Sequence, residues 1–304
     1  MRAALAAMAT AVSFLAVPAQ AREIHELWNF GDPATSERTF REELTHAQGD
    51  LRLELLTQVA RSYSLRGRFD DAHRLLDEIE PQLKDAGPAP RVRLLLERGR
   101  TLRSSGALDR ARPRFIEAWQ LAQASGLDGL AVDAAHMVAL VEAKADDQLE
   151  WNRRALALAE QSTQPYAQSW KASLYNNIGW SLHEAGRYEE ALTQFEAALR
   201  ERQRREQPKE TRIARWAVAR CLRSLQRYDE ALKIQRALEA ELGASNESDG
   251  YVFEELAELL DATGKPDAAR AYFRRALAEL GNDDWFAKNE RARLQRLRAK
   301  AGKQ

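Results

Sequence analysis

The side chains best suited to chemistry in this 304-residue chain are five histidines, at positions 25, 46, 73, 136 and 183, and a single cysteine, Cys221. No histidine stands in a His-Glu-x-x-His pair, none has a cysteine at ligand spacing, and no Gly-x-Ser-x-Gly or glycine-rich phosphate loop occurs. Cys221 lies between Val218 and Leu222 and reads as a small core residue, and with no second cysteine no internal disulfide forms. The chain is therefore expected to be an interaction protein rather than an enzyme, with no metal or cofactor. Recognition is the chemistry that remains. Trp180 and Trp216 are large apolar groups on the non-core side of amphipathic segments, and Arg220 and Arg223 follow at helical spacing. Tryptophan and arginine are the residue types that dominate binding hot spots.

The elements that must position these groups are legible in residues 172–205. Tyr175, Ile178 and Leu182 recur at helical spacing and form one apolar stripe, with Gly179 inside it. Glycine inside a helix costs roughly 1 kcal/mol against alanine, so close approach of a second backbone is expected there. Gly186 suits the left-handed cap that ends a helix. A second stripe follows, made of Tyr188, Ala191, Leu192, Phe195, Ala198 and Leu199. Its alternation of large and small groups suits the interdigitation of two packed helices.

The turn and second helix recur at Gly67–Ala72, Gly106–Ala111, Gln226–Ala231 and Gly264–Ala269. The alanines fall at 72, 111, 191, 231 and 269, so one interval is double the rest and a degenerate unit is expected between 111 and 191. Val132–Ala143 with Trp151, Ala155 and Leu156 fits that place without the turn glycine. The pattern Tyr175, Ile178-Gly179, Leu182, Gly186-x-Tyr188-x-x-Ala191, Phe195, Ala198-Leu199 resembles the tetratricopeptide repeat, a helix-turn-helix unit of 34 residues. The spacing here is longer, and the linkers at 206–210 and 85–90 are expected to hold the excess.

The resemblance implies an all-α, right-handed superhelical solenoid of about six helix-turn-helix repeats with capping helices. It also implies a concave groove lined by the first helix of each unit, in which a peptide or protein segment binds. On that face unit four would present Asn176, Asn177, Trp180, His183 and Glu184, with Asn177 at the place from which family members commonly bond a peptide main chain. Unit five would add Trp216, Arg220 and Arg223, unit two Arg93, Arg100 and Arg103, and unit six Tyr251, Glu254, Glu255, Glu258 and Asp261. A groove basic at one end and acidic at the other favours a ligand with separated charges of both signs. Two other readings stay open: a self-associating structural protein, and a glycan-binding helper whose tryptophans stack on sugars.

Residues 1–21 have the order of a secretory signal peptide: Arg2, an apolar run from Ala3 to Val17, Pro18, then Ala19-Gln20-Ala21. Cleavage is expected after Ala21, giving a periplasmic or secreted protein with no integral membrane segment. Residues 22–50 are expected to cap one end, 51–281 to form the solenoid, and 282–304 to form one basic capping helix. With 46 basic and 46 acidic groups the net charge is zero, and no nucleic acid partner is expected.

Overall fold

The computed structural model describes residues 23–302, so the expected signal peptide lies outside the described residues. These residues are helical almost throughout, and no strand occurs among them. A 3-10 turn at Ile24–Leu27 precedes α1 (Pro33–Leu44), whose N-terminal amides at Ala34 and Thr35 donate to the Asp32 side chain. Six antiparallel pairs follow: α2 (Gly49–Leu65) with α3 (Phe69–Ile79), α4 (Pro88–Ser104) with α5 (Leu108–Ala124), and α6 (Asp128–Ala139) with α7 (Ala145–Gln161). A short α8 (Pro165–Ser169) is inserted, and the pairing resumes with α9 (Lys171–Glu184) and α10 (Tyr188–Arg204), α11 (Pro208–Ser224) and α12 (Tyr228–Ala244), and α13 (Gly250–Ala262) and α14 (Pro266–Leu280). The chain closes with α15 (Asp284–Asn289) and α16 (Arg291–Ala301).

Each hairpin buries what the next one lends it. The largest apolar cluster joins Leu174, Ile178 and Leu182 of α9 to Leu192 and Phe195 of α10, Val218 and Leu222 of α11, and Leu149 and Leu156 of α7. No single pair could cover both of its stripes, which is why such a fold exists only as a stack. The turn glycines Gly67, Gly106, Gly186 and Gly264 all have φ between 73° and 89°, as the left-handed cap requires. At the equivalent place after α11 stands Gln226, which holds φ 59° at a steric cost.

Three features depart from expectation. The extra length resides in the helices, since α4, α5, α7, α10, α11 and α12 each run 17 residues, and Pro208 and Pro88 begin helices rather than extend loops. The close neighbour of Gly179 is a ring, not a backbone: a Cβ there would meet Phe195 at 2.7 Å, and Gly99 faces Phe115 in the same way. The last segment is two helices, broken at Glu290 (φ −114°, ψ 39°), an arrangement that buries Phe286 completely and leaves Trp285 exposed.

Candidate binding groove

In the first helix of every unit the apolar residues between successive helices leave one strip free, and its polar side chains reach sideways to the corresponding helix of the next unit. The separations in sequence are those of the repeat. Arg93 on α4 donates to Glu54 on α2 at 2.5 Å, 39 residues apart. Asn177 on α9 lies 3.4 Å from His136 on α6, 41 apart, and His183 lies 2.8 Å from Ser224 on α11, also 41 apart. Arg293 on α16 donates to both oxygens of Glu254 on α13, 39 apart, and Lys300 reaches Asp261 over the same interval.

This ladder neutralises most of the charge assigned to the groove. Arg100 is buried and donates to Glu97 at 2.6 Å and to Asp133, both buried themselves. Burial pulls the Arg100 guanidinium down, but the two carboxylates more than offset this, so its pKa lies above the ordinary value. Burial likewise pushes Asp133 up, and Arg100 and Arg61 outweigh it, leaving the carboxyl below its usual range. Glu254 and Glu255 are each 2% exposed; Arg293 and Arg296 take the first, and Arg223 takes the second with contacts of 2.5 and 3.2 Å. Glu258 pairs with Arg296 at 3.1 Å. The basic C-terminal helix and the acidic sixth unit thus satisfy each other.

Three cations stay outside the ladder. Arg61 on α2 comes no closer than 3.8 Å to Glu97, the carboxylate that Arg100 already holds. Arg103, half-buried on α4, makes no ion pair among the described residues. Arg220 on α11 comes no closer than 3.7 Å to Glu255, the carboxylate that Arg223 already holds. Burial, and then the neighbouring charge of Arg223, depress the Arg220 guanidinium, an environment that would welcome an anion. Near Arg220, His183 is pushed down by burial and by Arg220 and Arg223, which favours the neutral ring.

The rings form a run across the same strip. Trp180 meets Phe195 edge-on at 4.9 Å and His183 at 5.4 Å, and lies 6.0 Å from Trp216. Trp216 continues to Tyr251 at 6.1 Å, and its indole N–H donates to the Tyr251 carbonyl at 3.1 Å. Both tryptophans are half-buried and pack on the core, so each keeps only one side toward solvent. Asn176 and Asn177, also half-buried, line a recess between α9, α10 and α11 with Ser173, Arg202 and Glu210. The sequence-derived residues therefore divide by place: Asn176, Asn177, Trp180, His183, Trp216, Arg220 and Arg223 gather on α9 and α11, whereas Arg100, Glu254 and Glu258 are held in ion pairs to either side.

Residues outside the repeat pattern also enter the groove. Tyr166 on α8 and Trp170 stand 6.4 Å apart, and Trp170 faces His136 at 5.3 Å. Segment 23–31 reaches over from the other side, with His25 stacked on Tyr166 at 4.4 Å. A signal for these contacts existed in the aromatic residues at 28, 30, 166 and 170, but no repeat position predicts them. Among the described residues no cluster of histidine, cysteine or acidic side chains could hold a metal ion, and no helix is long and apolar enough to cross a membrane.

Family models described as tetratricopeptide repeat match residues 170–239 and 252–278. No curated protein matches the chain. Among solved structures, the apo form of RapI aligns with a TM-score of 0.65 at 14% identity, over 86% of this chain and 77% of that one. A Rap protein complexed with competence and sporulation factor aligns at 0.57 with 17% identity, over 87% and 77%. NprR in complex with its cognate peptide NprX aligns at 0.52, also with 17% identity, over 90% and 81%. The repeated helix pairs, their turn glycines and these matches agree on a tetratricopeptide-repeat fold, with the family's own repeats at residues 170–239 and 252–278.

Proposed function

We propose that this protein is a non-catalytic scaffold of the cell envelope that holds a peptide or protein segment against the middle of its concave face, between α9 and α11. The observation that carries the reading is Arg220. It is a half-buried guanidinium whose nearest carboxylate, Glu255, is already held by Arg223, and it lies near His183 of the adjoining α9, in a groove whose other charges, apart from Arg61 and Arg103, are paired. A client carboxylate would supply the missing partner, and a charge-assisted bond in such a place is among the strong ones. An apolar client group would cover the free face of Trp180, while Asn177 could bond to the client main chain. The site thus favours a segment with an acidic residue next to an apolar one. The complexes of a Rap protein with competence and sporulation factor and of NprR with its cognate peptide, whose folds are similar, support the class of ligand without specifying it.

The test is affinity capture from cell extract with three forms of the chain: wild type, Trp180→Ala/Arg220→Ala, and the convex-face control Glu196→Ala/Arg200→Ala. Partners retained by the wild type and the control but lost from the groove variant support the assignment. Identical partners for all three would remove the groove from the account. Loss of homodimer in the groove variant alone would favour self-association instead.

A further inference from the structure

The first described residues do not belong to any repeat, yet they lie in the groove. Ile24 and Leu27 are buried against Phe40, Leu55 and Val59. Beyond them Trp28 donates its indole N–H to Gln58 at 3.0 Å, and Arg61 sits over the rings of Trp28 and Phe30 at 5.0 and 5.1 Å. His25 spans to Tyr166 on the far side of unit three, 141 residues along the chain. Between this strap and the groove floor remains a cavity of about 270 Å³, lined by Gln58, Arg61, Arg93, Arg100, Tyr166 and Trp170 among others.

Under the strap, Gln58 passes a hydrogen bond to Glu97 at 3.3 Å, and Glu97 accepts from Arg100, which continues to Asp133. Arg61 Nε and Glu97 Oε2 are buried there without partners. Phe30 is 59% exposed, stacked on Trp28 and lying under the Arg61 guanidinium. The strap is thus anchored by apolar residues at one end and tied at the other by Asn29, whose N–H donates to Ser36 Oγ at 2.8 Å and whose carbonyl accepts from it at 2.9 Å; between them rings and the Trp28 hydrogen bond hold it over the groove, contacts that another segment could replace.

We propose that residues 24–30 are a built-in occupant of the groove, and that the segment able to displace them shares their chemistry. That segment would be a short turn with apolar residues at i and i+3 and aromatic residues at i+4 and i+6, as Ile24, Leu27, Trp28 and Phe30 provide. The inference rests on the reading of the concave face as a client site, but it concerns units one to three rather than Arg220. A strap that competes for the groove would set a threshold, so that only a matching client gains entry.

The probe is a fluorescein-labelled peptide copying residues 22–31, added to the full chain and followed by anisotropy. Trp28→Ala/Phe30→Ala loosens the strap, and this chain, verified as folded by circular dichroism, should bind the peptide at least tenfold more tightly than the wild type does. The same peptide with both aromatic residues replaced by alanine should not bind. Equal affinity for the two chains, or no binding to the folded variant, overturns the proposal. In the wild type, excess unlabelled peptide should accelerate amide hydrogen exchange at residues 24–31 and leave α9 unchanged; unaltered exchange at peptide saturation counts against displacement. A wild-type dimer that the peptide converts to monomer would assign the strap to a second copy and overturn the intramolecular reading. Because Trp180→Ala/Arg220→Ala leaves the strap untouched, it should keep the wild-type exchange response, which separates failure here from failure of the central site.

Discussion

Replacing Arg100 with methionine would test how far the groove depends on its buried charges. Arg100 is 9% exposed, and its partners Glu97 and Asp133 are 1% and 3% exposed. Methionine keeps the side chain long and apolar but strands both carboxylates, leaving Glu97 with the Gln58 amide at 3.3 Å and Arg61 at 3.8 Å. Removing one member of a buried ion cluster costs about 3–5 kcal/mol, because the charge left behind is neither solvated nor paired. Urea unfolding followed by far-ultraviolet circular dichroism measures this directly. With a slope of about 3 kcal/mol/M, the upper end for small proteins and suited to a longer chain, the midpoint should fall by roughly 1 M or more. Repeat arrays can melt in blocks, and the loss then belongs to the transition of the N-terminal units. The companion variant Arg100→Met/Glu97→Met/Asp133→Leu removes Arg100 with both carboxylates it holds, leaves only the partly exposed Arg61, and should recover most of the loss, since apolar replacement of a buried network is often neutral. A single variant within about 1 kcal/mol of wild type, or a triple variant no better than the single, would refute the reasoning.

Other substitutions probe the packing and titration of the stack. Gly179→Ala should destabilise by about 1–3 kcal/mol despite alanine's better helix propensity, because the new methyl meets the Phe195 ring; a rise in thermal midpoint would contradict this. Gln235 is fully buried with neither amide atom bonded, at a place where other units carry Phe115, Phe195, Phe273 or Leu76. Gln235→Leu should therefore stabilise by about 1–3 kcal/mol in a denaturant titration. Burial holds His73, His136 and His183 below the ordinary value of 6.5, so the unfolded chain takes up protons first as the pH falls. Stability is then complete above about pH 6.5 and declines as the pH drops from there through the depressed folded values. His136→Gln should flatten that decline between pH 7 and 5, and unfolding midpoints that rise on acidification would reverse the sign.

The sequence carried the repeat because its signals are local: turn glycines with positive φ, alanines at the helix crossing, and a phenylalanine four residues later. Even the degenerate third unit could be placed by the doubled interval, and its helix α6, apolar on nearly every side, is buried on nearly every side. Much of the groove was not legible, and the reason is geometric. Whether Glu254 faces solvent or Arg293 depends on how far one hairpin is rotated against the next, which no pattern within a hairpin records. The same holds for Arg100 and Asp133. The strap and α8 escaped because they lie outside the period, and Glu290 ends a helix without glycine or proline to mark it.

The central claim is that the client lies against α9 and α11 on the concave side. Photocrosslinking in living cells tests it most directly, with benzoylphenylalanine placed at Asn176 in the groove and, as a second sample, at the exposed Glu196 on α10. The account predicts a discrete adduct from position 176 that disappears with Arg220→Glu, and none from position 196. Adducts from position 196 alone, or an adduct at 176 indifferent to the charge reversal, would contradict it.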